Sequence, residues 1–403
     1  MHMADALLSP AVGGGMYAVS IAAIAYSVKK IKTDELGESK APLMAVSGAM
    51  VFAAQMVNFT IPGTGSSGHI GGGVLLAALL GPFAGTLALA AVLIIQCLCF
   101  ADGGLLALGC NIFNVAVIPC LIVYPLVMKR ILSPAPTAGR INAGSMISAV
   151  AALQIGAFCI VVQTTASGVT ELPFNAFVLL MQPIHLAIGV VEGVVTAAIL
   201  NYVNAARPQI LTAHTAPPSA PAHGSPALPT GPVPTDAVPA STGPLSTGPV
   251  PTDAVPASPG PLPIDAVPAS TAALSTGPLP PNPAKPAKPI KTIIIVFAVI
   301  AAVTAGGLSL LASAYPDGLE WSVERTAGTD ELETSGRVFD TFTAVRERFS
   351  FMPGYEAAPG DGSGTPIAGL IGAALVFAAA GAAALLIKAH KKKKRENAVK
   401  QNP

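Results

Sequence analysis

The sequence predicts an all-α polytopic membrane protein, and two observations support this fold class. Hydrophobic residues make up 52% of the 403 residues and charged residues only 11%, whereas soluble domains carry about 25% charged residues. The apolar residues are gathered in long uncharged runs, of the roughly 17–25 residues that a helix needs to cross a bilayer. The net charge of +1 gives no indication of nucleic-acid binding. Membrane lipid is therefore the expected partner of most of the chain.

Apolar runs mark the predicted spans in chain order. They lie near 12–28, 42–59, 66–100, 108–128, 142–166, 174–203, 292–314 and 365–388. The run 66–100 is too long for one span and is interrupted by Gly81 and Pro82, and a proline inside a helix removes a hydrogen bond and clashes one turn back. We therefore interpret it as two spans. The first, about 68–81, is short and is expected to tilt or to lie partly in a protein-lined cavity.

The basic residues determine the number of spans and their orientation, because cytoplasmic loops are enriched in lysine and arginine. If the chain starts outside and the run 66–100 counts twice, every basic cluster falls inside. These clusters are Lys29, Lys30, Lys32, Lys129, Arg130, Arg140, Arg207, Lys285, Lys288, Lys291 and Lys391 to Arg395. We predict about seven spans before the linker and two after it, in a bacterial plasma membrane, with the C-terminus cytoplasmic. The first run lacks a preceding basic region, so we expect an uncleaved span and not a signal peptide.

The composition divides the chain into four parts. Residues 1–204 form a membrane domain, and residues 205–290 form a Pro/Ala-rich linker in which DAVPAS occurs three times; this composition predicts a disordered cytoplasmic tether. Residues 291–390 form a two-span domain, and residues 391–403 a basic cytoplasmic tail. The segment between the last two spans, about 315–364, is acidic. It is either a cation-attracting vestibule or an ordinary solvated loop, since arginines are interspersed.

The chain opens MHMADALLSP, and this start can chelate a metal. The amine of Met1, the backbone nitrogen of His2 and the imidazole of His2 can form two fused chelate rings with three nitrogens nearly in a plane. A planar nitrogen field suits Ni2+ or Cu2+, whereas Zn2+ prefers a tetrahedron. The fourth position of the plane stays open for another histidine.

His69 is the expected fourth ligand. It lies in PGTGSSGHIGGG, residues 62–73, on the predicted outer side with the N-terminus. Glycines allow close backbone approach and positive φ angles. The alternative is a lone loop histidine without a role.

Four further residues are candidates for supporting the metal or its passage. Asp5 could accept a hydrogen bond from His2 or the amine, or be a simple exposed acid. Asn114, His185 and Glu192 lie inside predicted spans, where polar and ionisable groups are functional candidates. His185 and Glu192 are two turns apart on one helix face; the alternative is ordinary hydrogen bonding between helices.

These motifs resemble those of the CbiM/NikM family, the substrate-capture components of energy-coupling-factor cobalt and nickel importers. MHMADALLSP is similar to the family's N-terminal signature, and GTGSSGHIGGG to its second histidine loop. The resemblance covers roughly residues 1–204 and implies a square-planar site built from Met1, His2 and His69, with Ni2+ or Co2+ as the transported substrate. PDGLEWSVE, residues 316–324, resembles the PDGLE signature of the small auxiliary subunit (NikN-like), so the chain would be a fusion of two subunits.

The resemblance also implies partners: a transmembrane coupling subunit and cytoplasmic ATPases. The chain has no GxxxxGK[ST] phosphate-binding loop, so no ATP site of that kind is expected in it. One alternative is a stand-alone secondary transporter or channel, which would need ionisable groups along a path through the membrane. Another alternative is a membrane metalloenzyme, but the sequence contains no HExxH motif. The choice between nickel and cobalt stays open.

Overall fold

The computed structural model describes residues 2–31, 40–169, 172–215, 288–328, 336–356 and 364–401. Contacts group residues 1–217 and 287–403 into one compact unit, so the N-terminal and C-terminal parts pack together. Most of the predicted linker, residues 216–287, lies outside the described residues.

The N-terminal part is helical, as the sequence predicts. The helices are α1 (Pro10–Lys30), α2 (Lys40–Gln55), α3 (Gly73–Leu80), α4 (Pro82–Phe100), α5 (Leu108–Leu132), α6 (Ala138–Ser167), α7 (Phe174–Ala206) and α8 (Gln209–Thr215). Residues Phe113–Met128 of α5 form π-helical turns and contain Pro119 and Pro125. The linker was predicted to be disordered from residue 205. That boundary is wrong at its start, because α7 continues to Ala206 and α8 follows.

The C-terminal part adds α9 (Ile290–Gly306), α10 (Gly318–Ala327), α11 (Arg337–Phe349) and α12 (Thr365–Gln401). Among the described residues, six helices are long and apolar enough to cross a membrane: α1, α4, α5, α6, α7 and the first thirty residues of α12. Helices α2, α3 and α9 are shorter. The predicted count of about seven plus two spans stays a prediction.

The long run 66–100 breaks where the sequence indicates. Gly81 has φ +87° between α3 and α4, and Pro82 is the first residue of α4, a position where its missing N–H costs nothing. The eight residues of α3 span about 12 Å, too little for a hydrocarbon core of about 30 Å. All eight are buried, so protein and not lipid surrounds this segment.

A short hairpin precedes α3. Strands β1 (Phe59–Ile61) and β2 (Ser66–Gly68) pair antiparallel, and the turn between them has positive φ at Gly63 and Gly65. The C-terminal part extends this hairpin, because the N–H of Ser67 donates to the carbonyl of Pro316 at 2.8 Å. The hydroxyl of Ser67 donates to the carbonyl of Tyr315 at 2.7 Å.

The C-terminal spans pack on the N-terminal bundle. Helices α9 and α12 both lie against α2, and small residues make the approach close. A methyl group at Gly372 of α12 would stand 2.1 Å from the ring of Phe52, and one at Gly48 of α2 would stand 3.2 Å from Val376. Close backbone approach at small residues is the usual way in which membrane helices associate.

The basic ends of the helices gather at one end of the bundle. The Nζ of Lys391 donates to the carbonyl of Lys29 at 3.3 Å, and the N–H of Lys288 donates to the carbonyl of Ala206 at 2.9 Å. The last turn of α5, Lys129–Leu132, contacts α8. This clustering agrees with the charge pattern used to order the spans.

Candidate metal centre

The structure brings His2 and His69 together, although α1 and α2 separate them in the chain. Their ring centroids lie 5.2 Å apart and their planes differ by 19°. The His2 side chain is only 6% exposed. The two histidines singled out from the sequence therefore face each other in one buried place, on the far side of the bundle from the basic helix ends.

The N-terminal segment is fixed by the loop between α4 and α5 and by the first turn of α5. The N–H of Met3 donates to Oδ1 of Asn111 at 2.8 Å, and Nδ2 of Asn111 donates back to the carbonyl of Met3 at 3.2 Å. The N–H of Gly104 also donates to that carbonyl, at 2.8 Å. The carboxylate of Asp5 accepts from the N–H of Ala107 at 3.0 Å. These bonds pin the chain immediately after His2.

A buried carboxylate fixes the loop after His69. Glu192 on α7 accepts from the N–H groups of Gly71 and Gly72 at 2.7 and 3.0 Å, and Nε2 of Gln55 donates to the carbonyl of Gly71 at 2.8 Å. Gly72 has φ +76°, and a methyl group there would stand 2.5 Å from Val51. Only glycine satisfies both this backbone conformation and this approach.

The donor atoms suit a transition metal. Nδ1 of His69 lies 3.1 Å from the carbonyl of Ile70; if Nδ1 carries the proton, the lone pair of Nε2 is available. Burial lowers the pKa of His2, and burial with nearby positive charge lowers the pKa of His69 to about 3. Both imidazoles are therefore neutral near pH 7, the form that binds metals.

Acidic groups surround the two imidazoles. A cavity of about 830 Å³ opens onto them. Its polar lining comes from both parts of the chain and includes Gln55, Asn58, Asp102, Asp317, Glu320, Arg346, Tyr355 and Glu356. Asp317, in the PDGLE sequence, caps α10 by accepting from the N–H groups of Leu319 and Glu320. Oε2 of Glu320 accepts from the N–H of Asp317 at 3.1 Å, and the nearby charge of Asp317 raises the pKa of Glu320.

The structure gives the other predicted residues, apart from Met1, a position. Met1 lies outside the described residues. Asp5 was expected to hold His2 or the amine; its carboxylate instead holds the backbone of Ala107. Asn114 bonds Gln163 at 2.8 Å and touches the sulfur of Met3.

The two candidates on α7 have separate contacts. Nδ1 of His185 lies 2.8 Å from the carbonyl of Met181, and His185 lies under Gly318 of the C-terminal part. Glu192 supports the loop of His69, as described above. These hydrogen bonds join His185 and Glu192 to other residues and not to each other.

The sequence analysis missed Asp102, Asn111 and Tyr355. Oδ1 of Asp102 lies 3.2 Å from Nδ1 of His2, the place that had been assigned to Asp5. A signal was available, because Asp102 is the only charged residue between Lys40 and Lys129. No comparable signal marks Asn111 or Tyr355. Within the described ranges, no group of three or more His, Cys, Asp or Glu side chains is placed to hold a metal.

Comparison with known proteins identifies both parts. Residues 2–210 match the family model of the cobalt uptake substrate-specific transmembrane region, CbiM, and residues 291–389 match the PDGLE domain. A putative fused nickel transport protein NikMN of Archaeoglobus fulgidus is 38% identical over 218 residues, which cover 54% of this chain and 70% of that protein. A putative metal transport protein of Haloquadratum walsbyi is 37% identical, over 52% of this chain and 93% of that protein.

A crystal structure of a truncated transition metal transporter is 28% identical and covers 50% of this chain and 98% of that one, with a TM-score of 0.45. The CbiM family match covers more than half of the chain. The chain belongs to the CbiM family, carries a PDGLE domain in the same polypeptide, and is a multi-pass membrane protein of metal transport and not an enzyme.

Proposed function

We propose that this chain is the substrate-binding membrane subunit of an ATP-driven energy-coupling-factor importer for Ni2+ or Co2+. The cargo ion is held in a square plane by the amine of Met1, the backbone nitrogen and the imidazole of His2, and the imidazole of His69. Nickel is the preferred cargo, because planar nitrogen coordination suits it and the fused Archaeoglobus relative is named a nickel transport protein.

The observation that carries this proposal is the pairing of His2 and His69. Metal–imidazole bonds are about 2.0–2.1 Å long, so two imidazoles on neighbouring corners of a square have ring centres roughly 5 Å apart. The two rings lie at 5.2 Å and nearly parallel. Both are neutral for the reasons given above, so no proton has to leave the ring of His69 before an ion binds.

The acidic cavity supports a role in capturing cations. Asp102, Asp317, Glu320 and Glu356 line it, and among the described lining residues Arg346 is the one arginine or lysine. Negative charge around a cleft raises the local concentration of cations and speeds their association. The acidic lining therefore favours a cation-attracting vestibule over a plain solvated loop for the part of 315–364 that lines this cavity.

Partner subunits would supply the energy for transport. The sequence has no phosphate-binding loop of the GxxxxGK[ST] type, so cytoplasmic ATPases and a transmembrane coupling subunit would supply the energy. The site would face outward and the basic helix ends inward. The alternative, a stand-alone secondary transporter, would use His185 and Glu192. The described contacts of these side chains are local and structural, which favours the importer.

Nickel titration of the purified full chain, against a competing chelator, tests the site. His2→Ala should raise the Kd more than about 100-fold, beyond the 10- to 100-fold typical for residues that only support a ligand. One residue added before Met1 should have a similar effect, because it removes the amine from the chelate. The control His390→Ala, an exposed histidine on α12, should leave the Kd unchanged. Tight binding by the extended protein would refute the amine ligand.

A further inference from the structure

Two buried polar atoms beside the metal site lack hydrogen-bond partners. They are Nε2 of His2 and Oε1 of Gln96, and neither is bonded within the described part of the chain. Gln96 lies near the end of α4 and is 1% exposed. Buried polar atoms are nearly always hydrogen-bonded, so two such atoms in one site need a physical explanation.

The amide of Gln96 lies beside the imidazole of His2. An interaction between the two side chains raises the pKa of His2. An amide has this effect when its oxygen accepts from a ring N–H, because that contact favours the protonated ring. The other ring nitrogen of His2, Nδ1, faces Oδ1 of Asp102 at 3.2 Å. Nε2 is therefore the atom of the ring that is left for Oε1 of Gln96.

Hydrogen bonds hold the amide of Gln96 in this place. Its Nε2 donates to Oε1 of Gln55 at 2.9 Å, and Nε2 of Gln55 donates to the carbonyl of Gly71 at 2.8 Å. The backbone carbonyl of Gln96 accepts from the N–H of Asp102 at 3.0 Å. The two glutamines thus connect the loop that follows His69 with the neighbourhood of His2.

The proposed chelate determines which nitrogen of His2 carries the proton. Nδ1 closes the chelate ring with the backbone nitrogen of His2, because Nε2 lies on the far side of the imidazole. Nδ1 must therefore leave Asp102 when an ion binds. The carboxylate itself is held, because its Oδ2 accepts from the hydroxyl of Tyr355 at 2.5 Å.

The position of the proton accounts for the two unpartnered atoms. A neutral imidazole carries one proton. With this proton on Nδ1, opposite Asp102, Nε2 of His2 and Oε1 of Gln96 are both acceptors and cannot bond each other. With Nδ1 bound to an ion, the proton is on Nε2, which then becomes a donor.

We propose that Gln96 is a positioning residue of the metal site: in the loaded protein its Oε1 accepts the Nε2–H of His2 and fixes the imidazole with Nδ1 toward the ion. This inference rests on the proposed function, since it treats His2 as a metal ligand. A group that accepts the second N–H of a metal-bound imidazole sets its tautomer and orientation, and its loss lowers metal affinity.

Nickel titration and NMR of the full chain test this role, with Ni2+ alone as the probe and 15N-labelled histidine. Square-planar Ni2+ is diamagnetic, so the ring N–H signals of its ligands can be observed. Gln96→Met keeps a side chain of similar length and removes the acceptor. It should raise the Kd about 10- to 100-fold, move the Nε2–H signal of His2 upfield and speed its exchange with water.

Two further variants separate the acceptor from the packing around it. Gln96→Glu also breaks the bond to Gln55 but keeps an acceptor, so it should retain the downfield, slowly exchanging Nε2–H signal of His2. Gln154→Met is the matched control, because Gln154 bonds the carbonyl of Gln182 at 2.8 Å, between α6 and α7. It should change neither the Kd nor this signal.

The wild-type spectrum tests the inference even if Gln96→Met does not fold. A loaded wild type whose His2 carries no slowly exchanging Nε2–H would overturn it. So would a Gln96→Met variant with the wild-type signal and a Kd within about twofold of the wild type, well below the loss expected for a support of a ligand. Loss of binding in His2→Ala alongside an unaffected Gln96→Met would overturn the inference alone. Unchanged binding in His2→Ala would overturn the proposed function itself.

Discussion

At the scale of single residues, Glu192 is the group that connects the membrane core to the metal site. Its side chain is 2% exposed and accepts two backbone hydrogen bonds from the glycines that follow His69. Two donors aimed at one carboxylate are charge-assisted and stronger than neutral pairs. The residue stood out in the sequence because it is ionisable and inside a span, but its partner could not be predicted, since the partner is backbone 120 positions away.

Replacing Glu192 with Gln should loosen this loop. The amide offers one acceptor oxygen where the carboxylate offers two, so one buried N–H loses its partner, at a cost of about 1–3 kcal/mol in the free energy of unfolding. We expect the Kd for nickel to rise together with this loss. Thermal unfolding in detergent and nickel titration measure the two effects. Glu324→Gln, an exposed glutamate on α10, is the control, and equal behaviour of both variants would contradict this role for Glu192.

At the scale of elements, the N-terminal segment packs against the loop between α4 and α5. Gly104 donates to the carbonyl of Met3, and a methyl group at Gly104 would stand 1.8 Å from Oδ1 of Asp5 and 2.4 Å from its backbone nitrogen. Backbone nitrogen cannot move aside as a flexible side chain can. The close approach of two backbones therefore requires glycine at this position.

Gly104→Ala should displace the N-terminal segment and with it His2. We expect the Kd for nickel to rise at least about tenfold, as when a support of a metal ligand is lost. Gly15→Ala on α1 is the matched control, because nothing lies within 4 Å of the added methyl group. Titration of both variants with Ni2+ measures the Kd. Wild-type affinity in Gly104→Ala would mean that the packing of the N-terminal segment against Gly104 does not position His2.

The elements also show what sequence alone can predict. The break at Gly81–Pro82 was predictable, because proline and glycine act locally on the helix. The hairpin of β1 and β2, and its extension by the chain at Pro316, were not predicted. Strands of three residues carry no usable periodicity, and the bridge between Ser67 and Asp317 joins distant parts of the chain. His2 and His69 could be named from motifs and Asp102 carried a signal as an isolated charge, whereas Tyr355 could be found only in the packed structure.

At the scale of the whole molecule, the N-terminal and C-terminal parts share one cavity. Its lining includes Asp102 from the first part and Asp317 and Tyr355 from the second. The ends of the two parts also meet, where the N–H of Lys288 donates to the carbonyl of Ala206. Fusion of the parts in one chain keeps them at high effective concentration, which suits a site to which both contribute.

This arrangement predicts that the long linker can be shortened. Thr215 ends α8, whose seven residues span about 10 Å, while twelve extended residues reach about 40 Å. Replacing residues 216–287 with about twelve Gly and Ser residues should keep the nickel Kd within twofold of the wild type. Titration of the shortened protein measures this directly. A large loss of affinity would show that the linker contributes to the site.

The central claim is that four nitrogens, from Met1, His2 and His69, hold the cargo ion in a plane. X-ray absorption spectroscopy at the nickel edge of the loaded full-length protein tests it most directly. We expect four nitrogen donors in a square plane, together with loss of the imidazole scattering of one ring in His69→Ala. A shell of six donors, or one containing sulfur, would contradict it.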